Sequence, residues 1–381
     1  MHFYEFFAGG GMARAGLGSD WKCLFANDFD RKKGATYQAN WGSEEITVDD
    51  VRNIDPAELP GRANLVWASF PCQDLSLAGG GAGLRGERSG TFWPFIAVCR
   101  GLADDGRAPE VIALENVVGT LTSHDGRDFE AIVRALVDLG YRPGALVADA
   151  ALWVPQSRPR LFVVGVRDDL NPLGAADGPS LPWHTTAIRR AFSALPETLA
   201  KRWVWWSMPV PREREMRFAD VIEDDPSSVK WHTQAETRAL LSMMSEVNLA
   251  KVRTAQAAGV RMVGAVYKRT RWQQGVKVQR AEVRFDDVAG CLRTPAGGSS
   301  RQLILVVDGK SIRSRLISAR ETARLMGLPD TYVLPSGYNE AYHLTGDGVA
   351  VPVVRHIAQH IIEPVVSRQE AEKQANVVSS V

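Results

Sequence analysis

Cys72 stands in the run Ala68-Ser69-Phe70-Pro71-Cys72-Gln73, directly after the apolar stretch Leu65-Val66-Trp67-Ala68. A thiol reacts as its thiolate, so a nucleophilic cysteine must be accessible, and the mouth of a strand makes it so. Taken alone, a Pro-Cys pair more often marks a small core hydrophobe. Other groups shift that balance. The buried-looking run Val111-Ile112-Ala113-Leu114 delivers Glu115-Asn116-Val117, a carboxylate and an amide at a strand end. Gln156-Ser157-Arg158-Pro159-Arg160 places two guanidiniums before another such run, Leu161-Phe162-Val163-Val164. Near the N-terminus an apolar run ends at Phe7-Ala8-Gly9-Gly10-Gly11 ahead of a helix-compatible segment. Glycines there allow a ligand to approach the backbone, and the following helix start is electropositive. Asp28 ends the next apolar run, 19 residues after Gly9, close to the spacing at which a carboxylate meets a ribose hydroxyl. An ordinary turn explains the glycines alone; glycines with a correctly spaced acid favour a nucleoside cofactor.

These groups need a scaffold that gathers strand ends. Residues 1–167 alternate apolar strands with helix-compatible segments such as Gly126–Leu139, which reads as a parallel-sheet α/β domain. Ligands of such sheets bind outside the carboxyl ends of the strands, so Cys72, Glu115, Asp28 and the glycine loop could share one cleft. The pattern breaks at the Pro/Gly-rich stretch from Asn171 to Pro182. Beyond it lie Trp203, Trp205 and Trp206, read as core. Ser318-Ala319-Arg320-Glu321 is a capping box that opens a helix stopped by Gly327 and Pro329. A last helix after Gly348 carries a wide apolar stripe through Val349, Val353, Ile357 and Ile361 and must be buried.

In their order along the chain, Phe7-Ala8-Gly9-Gly10-Gly11, Pro71-Cys72-Gln73, Glu115-Asn116-Val117, Gln156–Arg160 and Arg320–Pro329 resemble the DNA (cytosine-5) methyltransferases of bacterial type, over residues 2 to about 167 and about 290 to 365. The resemblance implies a Rossmann-like S-adenosylmethionine-dependent methyltransferase domain with a smaller, irregular target-recognition domain. The expected division is 1–170 catalytic, 171–312 DNA-reading, 313–366 returning to complete the catalytic domain, and 367–381 a frayed tail.

The implied activity is methyl transfer from S-adenosylmethionine to C5 of a flipped cytosine in a specific duplex site. Cytosine C5 is too weak a nucleophile to take a methyl group directly, whereas a thiolate added at C6 makes C5 enamine-like. By resemblance Cys72 is that nucleophile, flanked by Pro71 and Gln73. Glu115 binds the ring N3 and exocyclic amine, Asn116 accompanies it, Arg160 holds the base O2, and Arg158 supports Cys72 and its loop. The glycine-rich segment from Gln73 to Thr91 would close over the flipped base. The cofactor would meet Phe7, Ala8, Gly9, Gly10, Gly11 and Pro71, with Asp28 on the ribose, Phe29 on adenine, and Asp50 and Val51 at the adenine edge; the product is S-adenosylhomocysteine. Phe92 is a further candidate wall, and Gly348 and Val349 complete the set. Here the chain departs from the family pattern, with Asp347 where asparagine is usual; an N-cap role for Asp347 is favoured over cofactor contact.

The 381 residues suffice for two domains, and no apolar run approaches a membrane span. Cys23, Cys72, Cys99 and Cys291 lack disulfide or zinc spacing, so no metal is expected and a cytoplasmic, bacterial setting is. Net charge is only +1, but residues 1–170 carry −6 and residues 171–312 carry +7. Nine cations between 250 and 285 face one acid, Glu282, interleaved with Tyr267 and Trp272, a pattern suited to DNA phosphates. The expected partner is double-stranded DNA, the expected state a monomer, with a cognate restriction endonuclease if the chain serves restriction–modification. Two rival readings stand beside this one. The tRNA-methylating branch of the same family has Phe-Thr after Pro-Cys, where this chain has Gln73. A catalytically silent DNA-binding homologue has no need of intact Cys72, Glu115, Arg158 and Arg160.

Overall fold

The computed structural model describes residues 1–71, 89–273, 275–293 and 301–369. Cys72, Gln73, most of the glycine-rich segment that follows, and the loop glycines 297 and 298 lie outside the described residues.

Two compact units divide the chain: residues 1–149, 159–210 and 351–381 form the first, residues 150–158 and 211–350 the second. The first is built on a seven-stranded sheet of β1 (His2–Phe6), β2 (Lys22–Asp28), β3 (Ile46–Val48), β4 (Leu65–Ala68), β5 (Val111–Val117), β6 (Tyr141–Asp149) and β7 (Pro159–Arg167), in the order 3-2-1-4-5-7-6. The central strands are apolar on both faces, as helix-covered parallel strands must be; β4 is buried at every residue. Helices α1 (Met12–Leu17), α2 (Arg31–Trp41), α3 (Phe92–Asp104) and α4 (Arg127–Asp138) connect the strands, with α5 (Thr186–Ser193) and α6 (Glu197–Ala200) beyond them. Strand order reverses between β1 and β4, which are parallel neighbours though not consecutive, and α/β sheets generally bind ligands beyond the strand ends at such a reversal.

One strand corrects the all-parallel reading. β7 runs antiparallel to both β5 and β6. Its N-terminal residues therefore lie at the edge where β5 ends, with Val117 opposite Arg160. Apolar periodicity is the same for either direction, so only pairing reveals this.

A short pair, β8 (Ala175–Ala176) and β9 (Trp205–Trp206), follows. The tryptophans pack as core: Trp206 is fully buried and donates to the Val164 carbonyl at 3.0 Å, while Trp203 and Trp205 meet the Phe192 ring at tilted and edge-on angles.

The second unit holds α7 (Phe218–Val221), α8 (Gln234–Ser242), α9 (Glu246–Ala257) and an antiparallel sheet of β10 (Met262–Gln273), β11 (Val276–Arg284), β12 (Leu303–Asp308) and β13 (Ser311–Leu316), in the order 11-10-12-13. Its core joins Leu240, Val252 and Ala255 of the helices to Val266, Val283 and Leu305 of the sheet. Helix α10 (Ala319–Leu325) starts at the expected capping box, with Ser318 accepting from Glu321 N–H and Glu321 accepting from Ser318 N–H. Glu321 also forms a fully buried pair with Arg315. Helix α11 (Tyr338–Asp347) follows.

The last helix, α12 (Val351–Ile357), belongs to the first unit and continues through a π turn at Ala358–Ile362. It packs on α1 at Gly16, where a Cβ would meet Val354 Cβ at 2.5 Å. The expected start near Val349 is overturned. Asp347 ends α11 and is exposed, three positions before the residue that precedes Val351, so it does not occupy the N-cap of the final helix.

Candidate active site

Three strand ends of the first unit converge by direct contact. Glu115, near the end of β5, is buried and pairs with Arg160 at the start of β7, Nε to Oε1 3.1 Å. The side chains are 16 % and 7 % exposed for arginine and glutamate, so the pair is shielded yet reachable through the guanidinium. Asn116 ties β5 to the segment that carries Cys72. Its Nδ2 donates to the Phe70 carbonyl at 3.3 Å, and its Oδ1 accepts from Val117 N–H at 2.8 Å and from Thr120 Oγ at 3.2 Å. The amide is thus oriented by its own turn and fixes the backbone two residues before the cysteine. Phe92, the proposed pocket wall, is fully buried against Phe70, ring centroids 5.1 Å apart.

The loops after β1, β2 and β3 are laced together. Phe7 has φ +57, rare for a residue with a side chain, and starts a tight turn closed by Gly11 N–H to the Ala8 carbonyl at 2.8 Å. Ala8 N–H donates to the Asn27 carbonyl, and Asn27 Nδ2 donates to the carbonyls of Thr47 and Asp49. Asp28 accepts from Gly9 N–H at 2.7 Å and from Asp30 N–H at 2.8 Å, one on each oxygen. Burial raises its pKa, opposed by Lys33 and by these two bonds. Beside it Phe29 is 76 % exposed, an apolar ring left open to solvent. Gly9 has φ +57 and open space where a Cβ would sit, whereas at Gly11 a Cβ would strike Trp41. Asp50 is engaged by Arg52, which holds its carboxyl below the usual range, and Val51 is buried.

In the second unit the Gln156–Arg158 segment is a structural clasp. Gln156 is fully buried; its Nε2 donates to the Leu325 carbonyl at 2.7 Å and its Oε1 accepts from Leu292 N–H at 3.1 Å. Arg158, also buried, donates to the carbonyls of Leu292 (3.2 Å), Gly346 (2.8 Å) and Gly348 (2.6 Å). It thereby fixes the turn that carries Asp347, Gly348 and the buried Val349. The motif is split between units after Arg158: Gln156 and Arg158 serve the second, Arg160 the first.

Sequence reasoning passed over Glu5, Trp41 and Thr120. Glu5 is buried in β1, with Oε2 lacking a hydrogen-bond partner among the described residues. Desolvation pushes its pKa to about 8 despite Arg14 and the N–H groups of Ala13 and Arg14. An acid inside the apolar run His2–Phe6 was the available signal. Trp41 donates to the Gly10 carbonyl at 3.0 Å, and nothing in its local sequence announces that. Among the described residues no cluster of three or more His, Cys, Asp or Glu is placed to hold a metal ion, and no helix is long and apolar enough to cross a membrane.

A profile of the C-5 cytosine-specific DNA methylases matches residues 1–363. The chain belongs to that family. Type II methyltransferase M.HpaII of Haemophilus parainfluenzae is 27% identical over 384 residues, covering 95% of this chain and 89% of the relative. Type II methyltransferase M.HhaI of Haemophilus parahaemolyticus is 24% identical over 363 residues, covering 95% and 94%. The fold is similar to that of the Entamoeba histolytica methyltransferase EhMeth, with a TM-score of 0.61 at 13% identity over 96% of this chain and 98% of that one. It is also similar to S. pombe Dnmt2, with a TM-score of 0.56 at 17% identity over 96% and 99%. The protein is accordingly a DNA (cytosine-5-)-methyltransferase with a mixed α/β fold on a parallel-rich sheet.

Proposed function

We propose that this methyltransferase transfers the methyl group of S-adenosylmethionine to C5 of a cytosine flipped out of a specific duplex DNA site, through a covalent adduct between Cys72 and C6. The observation that carries the reading is the Glu115–Arg160 pair, held where β5 ends, with Asn116 bonded to the backbone that leads into Cys72.

The first-unit loops fit the cofactor. Asp28, preset by two backbone bonds, keeps lone pairs for ribose hydroxyls, and exposed Phe29 offers its face to adenine. Open space at Gly9 admits a ligand against the backbone. Phe7, Ala8, Gly10, Gly11, Asp50, Val51, Pro71, Phe92, Gly348 and Val349 are the further contacts proposed, the last two on the turn clasped by Arg158. When bound, S-adenosylmethionine supplies an electrophilic methyl group on a sulfonium sulfur.

The chain's residues act on the base. The Cys72 thiolate adds to C6, forming an S–C bond and pushing the C5–C6 π electrons toward C5 and N3. Glu115 steadies N3 and the exocyclic amine, and Arg160 the O2, so charge developing on the ring is met by fixed partners. Once C5 carries the methyl group, with S-adenosylhomocysteine as the co-product, the C5 proton passes to solvent water acting as base, and β-elimination breaks the S–C bond and restores the thiolate. Arg158 is a positioning residue. The target atom is hidden in a stacked duplex, which is why the base is flipped. Residues 171–312, with their positive excess, are the proposed DNA-reading domain, 1–170 with 313–366 the catalytic domain, and a cytoplasmic monomer the proposed working form, with a cognate endonuclease as partner in a restriction–modification setting.

Bisulfite sequencing of DNA from a methylation-free host expressing the chain tests the reading. The expected result is C5 methylation at one recurring site, lost with Cys72→Ala. Unmethylated DNA from a host with abundant folded protein would overturn it.

A further inference from the structure

β10 and β11 outgrow their sheet. β10 pairs with β12 only through Met262–Val266, but its pairing with β11 continues from Ala265 to Gln273. From Tyr267 opposite Glu282 to Gln273 opposite Val276 the structure is a two-stranded ribbon, about 20 Å long at ~3.3 Å per residue. B-DNA's major groove, about 12 Å wide, admits such a ribbon.

Directly opposed residues share a face, so the register sorts the side chains. One face carries Tyr267 with Glu282, Arg269 with Arg280, and Arg271 with Val278; the other carries Lys268 with Ala281, Thr270 with Gln279, and Trp272 with Lys277. Two cations directly opposite, as Arg269 and Arg280 are, weaken a sheet unless an anion or acceptor lies over them. Glu282 engages Arg269 and Arg271. It accepts from Arg271 Nε at 3.1 Å and Nη2 at 2.5 Å, and pairs with Arg269 Nε at 3.2 Å. The two guanidiniums remain half exposed. A cavity of about 310 Å³ adjoins Arg269 and Glu282, lined also by Tyr267, Arg284 and, from α9, Asn248 and Lys251.

A carboxylate on a DNA-facing surface repels phosphates, so its presence between two arginines needs a reason. Two bonds from one guanidinium fix its plane, and a planar fork with a fixed orientation matches the paired acceptors O6 and N7 of guanine. We propose that the arginine face of this ribbon enters the major groove, that Arg271 and Arg269 read guanine edges and set the site preference, and that Glu282 is the positioning residue that orients them. The proposal rests on the DNA methyltransferase reading above for its ligand.

The test compares Arg271→Lys, Glu282→Gln and, on the opposite face, Thr270→Ala/Gln279→Ala. The preferred duplex is first identified by selecting bound duplexes from a random pool, which requires no turnover. Lysine keeps the charge and loses the fork. Arg271→Lys is expected to lower discrimination between preferred and substituted duplexes at least about fivefold while leaving the salt slope of binding unchanged. Glu282→Gln should lower discrimination similarly and tighten binding to unrelated DNA, while the opposite-face variant keeps wild-type discrimination. Matching melting temperatures control for folding. Undiminished discrimination in Arg271→Lys, or its loss through the Thr270/Gln279 face instead, overturns the proposal. A chain that discriminates between duplexes but transfers no methyl group would overturn the catalytic reading alone.

Discussion

The Glu115–Arg160 pair gives a measurable coupling. Its 3.1 Å contact is shielded, with only 16 % of the arginine side chain and 7 % of the glutamate exposed. Removing one partner of a buried pair leaves a charge uncompensated and costs about 3–5 kcal/mol. In Arg160→Gln the stranded group is the more buried carboxylate, so a loss of about 3 kcal/mol is expected. In Glu115→Gln the stranded guanidinium reaches solvent, and the loss should be about 1–2 kcal/mol. The double variant strands neither charge. It should fall near the Glu115→Gln value, about 3 kcal/mol more stable than the sum of the single effects. Urea unfolding followed by far-UV circular dichroism supplies the four stabilities. Additivity within about 0.5 kcal/mol would refute the argument that the charges compensate each other. Turnover separates the catalytic claim from the structural one. Glu115→Gln should lose about 10²–10⁴ in methyl transfer, and the double variant should not regain it despite its compensated stability.

Duplexes carrying 5-fluorocytosine should trap a covalent complex through Cys72, because the fluorine blocks loss of the C5 substituent; Cys23 and Cys99 are buried with thiol pKa values pushed up, to about 12 for Cys23, so a peptide map placing the adduct on either would sink the assignment. Asp28→Ala should weaken S-adenosylmethionine binding at least about tenfold by calorimetric titration, the loss of roughly 1.5–3 kcal/mol of charged hydrogen bonding; an unchanged Kd would remove Asp28 from the site. Glu5, with its folded pKa raised to about 8, binds its proton more tightly folded than unfolded. Its contribution is therefore fully present below about pH 4.5 and lost as pH rises toward 8, so Glu5→Gln should flatten the decline in stability across that window, and an unaltered pH profile would contradict the burial argument. Gly16→Ala should destabilise by about 1–3 kcal/mol although alanine favours helix, because its Cβ would lie 2.5 Å from Val354 Cβ and 2.7 Å from the Val351 carbonyl; a raised melting temperature would show that α12 yields.

The strand ends were legible because apolar runs stop where polar residues begin. Leu65–Ala68 is a strand over the residues read from the sequence, and Val111 begins the strand that delivers Glu115. The spacing from Gly9 to Asp28 was legible for the same reason, and the structure adds the hydrogen bond between them. Three features were not. Asp347 looked like a cap because glycine and proline follow it, but helices lie on both sides of it, and propensity could not say which one owned the residue. Glu5 hid among the aromatic residues Phe3, Tyr4 and Phe6, and an acid tolerated there signals a local cluster of N–H groups that only folding assembles. The partners of Gln156 and Arg158 lie more than 130 residues away, beyond the reach of any local pattern.

That distance explains why two arginines two residues apart do different work. Arg158 ends its side chain among backbone carbonyls of residues 292, 346 and 348 in the second unit, an environment that uses a guanidinium as a multiple donor and binds no anion through those contacts. Arg160 meets a carboxylate across the antiparallel β5–β7 pair of the first unit. The intervening Pro159 has no N–H to donate and begins β7, so the chain can change units there without leaving a backbone donor unpaired. Alternation along a strand would turn both arginines to one face. Separate roles arise because the strand starts between them. A substitution that extended β7 backwards, such as Pro159→Val, would put both guanidiniums in competition for that face. The expected result is weakened anchoring of the turn at Gly346 and Gly348, read as faster hydrogen exchange at Gly348 N–H, which is bonded to the Leu344 carbonyl at 3.1 Å in the native chain. Unaltered exchange there would show that the clasp does not depend on where the strand begins.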